Sequence, residues 1–272
     1  MENLVLLANS VAVVGGLGFV FGIGLGLAAK KFAIQVDPRE EELLNVLPNA
    51  NCGACGFTGC RAYAEALLAG KAKVGQCPVA GGEATAKIAR IMGQELSEFS
   101  APKVAVIFCD GGSKCKDKYE WKGVESCALA SKYFGGPKEC EFGCLGLGDC
   151  FRACPFGAIK WEKPGEVPII DWEKCTGCGL CVSACPKNII HLVDCRYRVH
   201  IRCASTDRGA RVRQICPPGC IGCGLCVKVC PKNDIIMENN LAKMKYDTCD
   251  NCGLCEAKCP TKTIKIRQLV GV

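Results

Sequence analysis

The stretch CTGCGLCVSACP, residues 175–186, decides how the rest of the chain is interpreted. Its cysteines follow the spacing C-x2-C-x2-C-x3-C-P, which returns at residues 220–231 and 249–260. Within each stretch the cysteines are too close for easy disulfide pairing, and such runs suit metal sites in a reducing compartment. With 26 cysteines and two histidines in 272 residues, thiolate sulfur is the expected ligand.

This spacing is typical of two-cluster bacterial ferredoxins. Three close thiolates wrap one [4Fe–4S] cube, and the fourth cysteine, before proline, reaches the other cluster. Crossing the ligands predicts three complete sets, which are Cys175, Cys178, Cys181 and Cys154; Cys249, Cys252, Cys255 and Cys230; and Cys220, Cys223, Cys226 and Cys259. Zinc bound by four thiolates is the alternative, although zinc sites rarely use this spacing.

The first copy of an internal repeat is irregular. Cys140, Cys144, Cys150 and Cys154 have the same spacing as Cys216, Cys220, Cys226 and Cys230, which indicates a duplication. However, Leu147 stands where the second copy has Cys223. Either Cys140 completes a set with Cys144, Cys150 and Cys185, or a more labile cluster with three cysteines forms there and Cys140 is used elsewhere.

Two further groups of cysteines lie outside these patterns. Cys52, Cys55, Cys60 and Cys77 have the spacing C-x2-C-x4-C-x16-C, which on its own fits either zinc or an iron–sulfur cluster. Cys109, Cys115 and Cys127 suggest a sixth cluster, completed by Cys203 or Cys216. The alternative for this last group is that the thiols are buried or spare.

The N-terminal segment predicts a membrane anchor. Leu4–Ala29 carries no charge, and its 26 residues can cross a hydrocarbon layer of about 30 Å as a helix. A signal peptide would place positive charge before the apolar run, whereas here Lys30 and Lys31 follow it. The lysines predict a single pass through the bacterial inner (plasma) membrane with the cysteines on the cytoplasmic side. Gly18, Gly22 and Gly26 share one helix face, where another membrane helix could pack closely.

The sequence therefore predicts an α+β chain in four parts. These are a transmembrane anchor (1–31), a small helical [4Fe–4S] domain (32–100), a first ferredoxin-like module (101–190) and a second ferredoxin-like module (191–272). In the second part, Asp37–Pro38 marks a helix start, and further helices are expected over 61–69 and 83–92. A strand is expected over 103–108.

Charge and composition narrow the choice of partners. The chain carries 34 Lys and Arg against 27 Asp and Glu, a formal charge of +7. A basic surface attracts acidic proteins and speeds their encounter. The sequence has no arginine-rich run and no alternation of basic and aromatic residues of the kind that indicates nucleic-acid binding.

Two motifs resemble a known family. LPNANCGACGFTGC (47–60) after an N-terminal anchor, and GGP (135–137) followed by CEFGCLGLGDCFRACPF (140–156), are similar to the B subunits of Rnf complexes. The resemblance covers essentially the whole chain. It implies that Cys52, Cys55, Cys60 and Cys77 bind a [4Fe–4S] cluster rather than zinc, which brings the expected number of clusters to five or six.

The resemblance also implies a function. The chain would accept electrons from reduced ferredoxin, or return them, within a membrane complex that couples ferredoxin:NAD⁺ oxidoreduction to Na⁺ or H⁺ translocation. Its expected partners are ferredoxin, flavin- and NADH-binding subunits, and ion-translocating membrane subunits. The second module is similar to the longer form of the family in anaerobic bacteria.

The residues fit a supporting role in such an enzyme. The chain has no dinucleotide fingerprint after a strand, no charge within the membrane segment and no acid–base constellation, so no stand-alone catalytic site is expected. Two other hypotheses stay open. One is a related membrane reductase that keeps a redox-sensing regulator reduced, and the other is a zinc-stabilised interaction scaffold.

Overall fold

The chain begins with a long apolar helix. The structure is a computed structural model that describes residues 2–32, 37–94 and 101–267. Helix α1 spans Glu2–Lys31 and ends in two lysines. Within it, Ala12–Lys31 is long and apolar enough to cross a membrane, with a mean hydropathy of 2.1, and it is not buried against the rest of the described chain. A candidate membrane span is thus present, and its orientation stays a prediction.

A small helical domain follows the anchor. Its helices are α2 (Pro38–Val46), α3 (Cys60–Leu68) and α4 (Gly81–Met92). Helix α2 begins where the Asp37 carboxylate accepts a hydrogen bond from the Arg39 backbone N–H at 3.0 Å, as expected of an N-cap. Helix α4 ends at Gly93, which is left-handed with φ 65°. The three helices close over a core whose largest fully buried side chains are Leu43, Tyr63, Leu67 and Ile88.

The first ferredoxin-like module alternates short strands and short helices. Its elements are β1 (Lys103–Ile107), a 3-10 turn (Gly112–Lys114), α5 (Cys127–Ala130), α6 (Asp149–Arg152), β2 (Ile159–Lys160), β3 (Ile169–Ile170), α7 (Leu180–Ser183) and β4 (Ile190–Asp194). Strands β1 and β4 pair antiparallel, with Lys103 opposite Asp194. Strands β2 and β3 form a second antiparallel pair.

The second module repeats this order. Its elements are β5 (Val199–Ile201), α8 (Gly209–Ile215), α9 (Leu225–Val229), β6 (Ile235–Glu238), β7 (Leu241–Met244), α10 (Leu254–Lys258) and β8 (Ile264–Ile266). The first and last strands, β5 and β8, pair antiparallel, and β6 pairs with β7. Because both modules follow the order strand, helix, hairpin, helix, strand, the fold agrees with the duplication inferred from the cysteines.

The structure moves one predicted boundary. The division placed between residues 190 and 191 falls inside β4, all five residues of which pair with β1. The first module therefore runs to Asp194, because its opening strand needs β4 as its partner. The cores of the two modules are small and rich in cysteine, with Cys109, Cys150 and Cys181 buried in the first and Cys226 and Cys255 in the second.

Candidate metal centres

Each regular cysteine run folds into a loop with two left-handed residues. In the run that begins at Cys175, Gly177 and Gly179 have φ values of 67° and 81°. The equivalent pairs are Gly222 and Gly224, Asn251 and Gly253, and Gly146 and Gly148. Side chains rarely adopt this conformation, so glycine lets the backbone turn tightly enough to direct successive cysteines inward. At Gly177 a Cβ would also collide with the carbonyl oxygen of Lys103 in β1.

Asparagine replaces glycine at one of these positions and compensates with hydrogen bonds. Asn251 has a φ of 62°, a conformation that asparagine tolerates better than most residues. Its side chain accepts a hydrogen bond from the Arg198 N–H at 2.6 Å and donates one to the Arg196 carbonyl at 2.9 Å. The loop is thereby fixed to the residues that lead into β5.

The structure brings two of the predicted sets around cavities. A space of about 320 Å³, partly open to solvent, is lined by Cys154, Cys175, Cys178 and Cys181. A space of about 300 Å³ is lined by Cys230, Cys249, Cys252 and Cys255. In each case the cysteine before proline comes from the other half of its module, so the crossed arrangement is present in the geometry.

The third predicted set lies in the core of the second module. Cys220, Cys226 and Cys259 belong to this core, together with Cys230, Cys249 and Cys255 of the other set. Burial, followed by the neighbouring thiols of Cys220 and Cys223, raises the pKa of Cys226 to about 11. Cys220, Cys223 and Cys226 are therefore neighbours, and the place of Cys259 in this set stays a prediction.

The irregular part of the first module differs from the expectation. A space of about 380 Å³ is lined by Cys127, Cys144, Cys150 and Cys185. Cys127 takes the place predicted for Cys140, which does not line this cavity. Leu147, at the position of the missing cysteine, is buried against Cys127.

Asp149 explains how Cys127 reaches this cavity. Its Oδ2 accepts hydrogen bonds from the Ala128 backbone N–H at 2.9 Å and from the Ser126 hydroxyl at 3.2 Å. Ser126 in turn caps α5 by accepting from the Leu129 N–H. The start of α5, which carries Cys127, is thus attached to the start of α6, which carries Cys150. A signal was present in the sequence, since the first copy has aspartate where the other three runs have leucine.

Cys140 lies in another cavity, at the junction of the two modules. This space of about 440 Å³ is lined by Cys109, Cys115, Cys140 and Cys216, and also by Cys144 and Cys203. A Cβ built on Gly111 would lie 3.1 Å from the Cys216 sulfur and 3.6 Å from the Cys109 sulfur. A Cβ on Gly143 would lie 3.4 Å from the Cys140 sulfur. The sequence hypothesis of a sixth cluster grouped Cys109, Cys115 and Cys127 with Cys203 or Cys216. The structure brings Cys109, Cys115 and Cys216 to this cavity, but Cys127 does not line it.

Backbone pairing holds Cys140 away from the irregular set. The Lys118 N–H donates to the Pro137 carbonyl at 2.6 Å, and the Glu139 N–H donates to the Lys116 carbonyl at 2.8 Å. These bonds align the segment after Cys115 with the segment before Cys140. The Lys116 N–H also donates to the Ile215 carbonyl at 2.8 Å, which brings Cys216 to the same place.

The N-terminal set lies in the helical domain. Cys60 and Cys77 are buried in its core, with Cys55 packed against it. Burial raises the pKa of the Cys77 thiol, and Cys55 and Cys60 raise it further. The Cys60 N–H donates to the Asn51 side chain at 2.9 Å, which holds the start of α3 beside Cys52.

Several backbone N–H groups point at cysteine sulfur. The Ala105 N–H donates to the Cys175 sulfur at 3.4 Å. The N–H groups of Gly111 and Cys144 donate to the Cys109 sulfur at 3.4 and 3.3 Å. Such bonds stabilise negative charge on sulfur and are the interactions that tune iron–sulfur clusters.

The donor sets fit a multi-iron group. Within the described residues, no three Cys, His, Asp or Glu side chains converge on a point that could hold a single metal ion. The sulfurs instead surround spaces of about 300 to 440 Å³. Burial, then Cys127 and Cys185, raises the pKa of Cys150 to about 12, because neighbouring thiolates repel one another. A cationic, thiophilic group would relieve this repulsion, as iron–sulfur clusters do.

The cysteine sets follow one another through the molecule. Burial raises the pKa of Cys178, and the nearby Cys52 raises it further. The N-terminal set therefore lies next to the set that contains Cys178. In the same way Cys181 raises the pKa of Cys150. Each of these pairs joins two different sets.

The series continues into the second module. Burial, followed by the neighbouring Cys109, raises the pKa of Cys144, so the irregular set lies next to the junction set. Burial, then Cys109 and Cys220, raises the pKa of Cys203 to about 12, so this thiol lies between the junction set and the first set of the second module. Cys195 lines none of the cavities described above, and its N–H donates to the Pro102 carbonyl at 2.9 Å.

Family models match three segments of the chain. A putative Fe-S cluster model matches residues 47–79, a 4Fe-4S binding domain matches residues 168–191, and a 4Fe-4S dicluster domain matches residues 219–264. The prediction of [4Fe–4S] clusters is thereby confirmed over zinc.

Curated relatives extend the similarity over most of the chain. The B subunit of the Na⁺-translocating ferredoxin:NAD⁺ oxidoreductase complex of Acetobacterium woodii is 44% identical over 250 residues, which is 92% of this chain and 74% of the relative. The B subunit of the ion-translocating oxidoreductase complex of Methanosarcina acetivorans is 41% identical over 96% of this chain and 99% of the relative. The B subunit of the proton-translocating ferredoxin:NAD⁺ oxidoreductase complex of Clostridium ljungdahlii is 42% identical over 86% of this chain and 82% of the relative.

Proposed function

Since this chain belongs to the family of B subunits of ion-translocating ferredoxin:NAD⁺ oxidoreductase complexes, the Rnf complexes, we propose that it receives electrons from reduced ferredoxin at its second module and relays them toward the membrane. The electron-relay role and the place in an oxidoreductase complex come with the family. The donor, the number of clusters and the order of the cysteine sets are our proposal.

Six sets of four cysteines are proposed to hold six [4Fe–4S] clusters. In order from the anchor they are Cys52, Cys55, Cys60 and Cys77; Cys154, Cys175, Cys178 and Cys181; Cys127, Cys144, Cys150 and Cys185; Cys109, Cys115, Cys140 and Cys216; Cys220, Cys223, Cys226 and Cys259; and Cys230, Cys249, Cys252 and Cys255. Each bound cluster would supply one-electron transfer at low potential. The protein's part is to hold the sulfurs, donate hydrogen bonds to them and exclude water.

The single observation that carries the proposal is this continuous series. Its near end, the set of Cys52 to Cys77, belongs to the domain that follows α1. Its far end has the two exposed cysteines among all those described, Cys223 and Cys252. A relay needs one end accessible to a soluble donor and the other beside its membrane partners, and this chain has both.

The far end also has the chemistry to bind an acidic donor. The exposed side chains of Leu225 and Leu254 flank the two exposed cysteines. Four exposed lysines surround the cysteines that precede proline, and they are Lys228, Lys232, Lys258 and Lys262. An apolar centre with a basic rim suits a negatively charged protein that must dock briefly and at a high rate. We name these residues the far-end face.

Placement in the membrane follows from the anchor. The helix would cross the inner membrane once, with the cysteines on the cytoplasmic side, because Lys30 and Lys31 end it. Nothing in the described chain approaches the Cβ positions of Gly18, Gly22 and Gly26. That face is therefore available to the helices of ion-translocating subunits, while nicotinamide and flavin chemistry belongs to other subunits.

Charge reversal on the far-end face tests the proposed entry point. The intact, cluster-replete chain in detergent is mixed with photoreduced ferredoxin in an anaerobic stopped-flow instrument. The Lys228→Glu/Lys258→Glu variant should accept electrons about tenfold or more slowly at low salt, and the difference should shrink as salt increases.

Lys122→Glu is the matched control, since Lys122 is 78% exposed and lies in the first module. It should react like the original chain. If the double variant reacted at the original rate while Lys122→Glu slowed the reaction, entry at the second module would be wrong. If cluster-replete protein accepted no electrons from ferredoxin, the donor itself would be wrong.

A further inference from the structure

A cleft between the two modules is lined by no cysteine. It has a volume of about 630 Å³, partly open to solvent, and lies between β1 and β3 of the first module and β5 and β8 of the second. Its polar side chains are Trp172, His200, Arg202, Lys265 and Arg267. The rest of its wall is valine, isoleucine and proline.

Buried donors without partners belong to side chains that line this cleft. In the part of the chain that the structure describes, six buried side-chain nitrogen or oxygen atoms lack a hydrogen-bond partner. Four of them belong to this wall, and they are Trp172 Nε1, His200 Nε2, Arg202 Nε and Arg267 Nη1. Buried polar groups nearly always find a partner, because leaving one unpaired is costly. Four in one cleft indicate a ligand.

His200 is held as a neutral donor. It is 2% exposed, and its Nδ1 lies 2.9 Å from the Tyr246 hydroxyl. When that hydroxyl donates to Nδ1, the ring proton is on Nε2, the atom without a partner. Burial, followed by the charges of Arg202 and Arg267, lowers the pKa of His200 to about 4, so the ring adds a donor and no charge near neutral pH.

The charge of the cleft is positive. Arg202 lies 3.7 Å from the Asp110 carboxylate, which Lys114 approaches at the same distance. Arg267 stacks over the Trp172 ring at 4.4 Å. Within residues 101–267, neither Arg267 nor Lys265 has a carboxylate within ion-pair distance. Of these three cations, only Arg202 therefore has a carboxylate partner in this part of the chain, and Arg202 shares that carboxylate with Lys114.

We propose that this cleft binds a phosphate group and that the bound group joins the two modules. The donors come singly from four side chains on three segments of the chain, rather than from one guanidinium fork as for a planar carboxylate. Such an arrangement suits an anion with three or four oxygens. Trp172 belongs to the first module, and His200, Arg202 and Arg267 belong to the second, so one anion would contact both.

Binding is measured on the intact, cluster-replete chain in detergent under anaerobic conditions. Equilibrium dialysis with radiolabelled inorganic phosphate at low ionic strength should give one saturable site per chain. Arg267→Gln should weaken binding about tenfold or more, because it removes a charge-assisted hydrogen bond and a cation. Lys265→Gln should weaken it several-fold through charge alone.

Arg213→Gln is the control, since Arg213 is an exposed arginine on α8 outside the cleft. It should bind phosphate like the original chain. Equal iron content in all the variants would show that each is folded. The proposal is overturned if the original chain shows no saturable binding in the millimolar range, or if Arg267→Gln binds as well as Arg213→Gln.

Competition identifies the source of the phosphate group. Glycerophosphoglycerol, the water-soluble headgroup of phosphatidylglycerol, and unlabelled inorganic phosphate are compared as competitors. Stronger displacement by the headgroup supports a membrane lipid as the occupant, and stronger displacement by inorganic phosphate supports a soluble phosphate. Stronger displacement by acetate than by either would contradict a phosphate site and indicate a carboxylate.

Discussion

The Asp149 carboxylate accepts a hydrogen bond from the backbone N–H of Ala128 at 2.9 Å, across a separation of 21 residues. This contact attaches α5, a helix of four residues, to the run that contains Cys144 and Cys150. It brings Cys127 to the place that Leu147 cannot fill. The cavity is thereby lined by four thiols although the run lacks one cysteine of the regular pattern.

Removing the Asp149 carboxylate should release Cys127 from its set. Asp149→Ala deletes the acceptor for three donors, which are the Ala128 N–H, the Ser126 hydroxyl and the Arg152 guanidinium, each bond to a charged group being worth about 1.5–3 kcal/mol. We expect the variant to lose roughly four of its iron atoms, those of one [4Fe–4S] cluster. Asp149→Asn keeps one acceptor oxygen and should lose fewer. Iron and acid-labile sulfide analysis measures both. Glu120→Ala, whose side chain is 78% exposed, should keep its full iron content.

Paired substitutions distinguish Cys127 from Cys140. Cys127→Ser and Cys185→Ser should each remove the same cluster, so the double variant should lose no more iron than either single variant. Cys127→Ser combined with Cys140→Ser should instead lose roughly eight iron atoms, from two clusters. Iron analysis with anaerobic EPR measures the losses. Should Cys140→Ser and Cys185→Ser prove to remove one and the same cluster, the place given to Cys127 would be wrong.

Asp234 should be needed for the loop that leads into Cys249. Its carboxylate is fully buried and accepts from the N–H groups of Tyr246, Asp247 and Thr248 at 2.9 to 3.1 Å. Asp234→Ala leaves these donors without an acceptor, at a cost of about 1–3 kcal/mol for each one that stays buried. We expect faster loss of visible cluster absorbance in urea.

The control for Asp234 is Glu238, an acidic residue of the same module whose side chain is about half exposed. It pairs with Lys243 at 2.8 Å. Glu238→Ala should change the rate of absorbance loss little, because exposed ion pairs contribute at most about 1 kcal/mol. Equal rates for the two variants would mean that the Asp234 bonds do not hold the loop.

His200 should make the fold less stable in mild acid. Its pKa is about 4 in the folded chain, through burial and then Arg202 and Arg267, against about 6.5 when unfolded. The unfolded chain therefore binds the proton more readily, so stability is complete above about pH 6.5 and declines toward pH 4. By about pH 5.5 the loss should be on the order of 1.4 kcal/mol.

Urea unfolding of the original chain and of His200→Asn, between neutral pH and about pH 5.5, measures this contribution. The variant should lose less stability than the original chain over the same range. If the free energy of unfolding fell equally with pH in both proteins, His200 would not have the lowered pKa on which this prediction rests.

Local spacing determined what could be predicted. A run such as Cys175 to Cys185 contains its loop and its helix within a dozen residues, so the sequence alone predicts the ligands, and the left-handed glycines agree with the predicted loop. The helix that starts at Asp37 was predictable for the same reason, since its cap and its proline are adjacent.

The positions of Cys127 and Cys140 were harder to predict because they depend on contacts between residues that are far apart in the sequence. Cys127 is placed by Asp149, and Cys140 by pairing between the segments around Lys116 and Glu139. Neither contact leaves a repeat or a period in the sequence. The division between the modules was misplaced for a related reason, since a strand boundary depends on its partner, here β1 for β4.

The exposure of Cys223 and Cys252 has a consequence for how the protein is damaged by air. Susceptibility of sulfur to oxidation follows its accessibility, and these two thiols are exposed whereas Cys109, Cys115, Cys140 and Cys216 are all buried. The surface that we propose for meeting a soluble donor is also the surface that dioxygen reaches first. Oxidative damage should begin at the second module and then reach the buried cysteine sets. A chain briefly exposed to air would therefore keep the iron of its buried sets but would no longer accept electrons from a soluble donor.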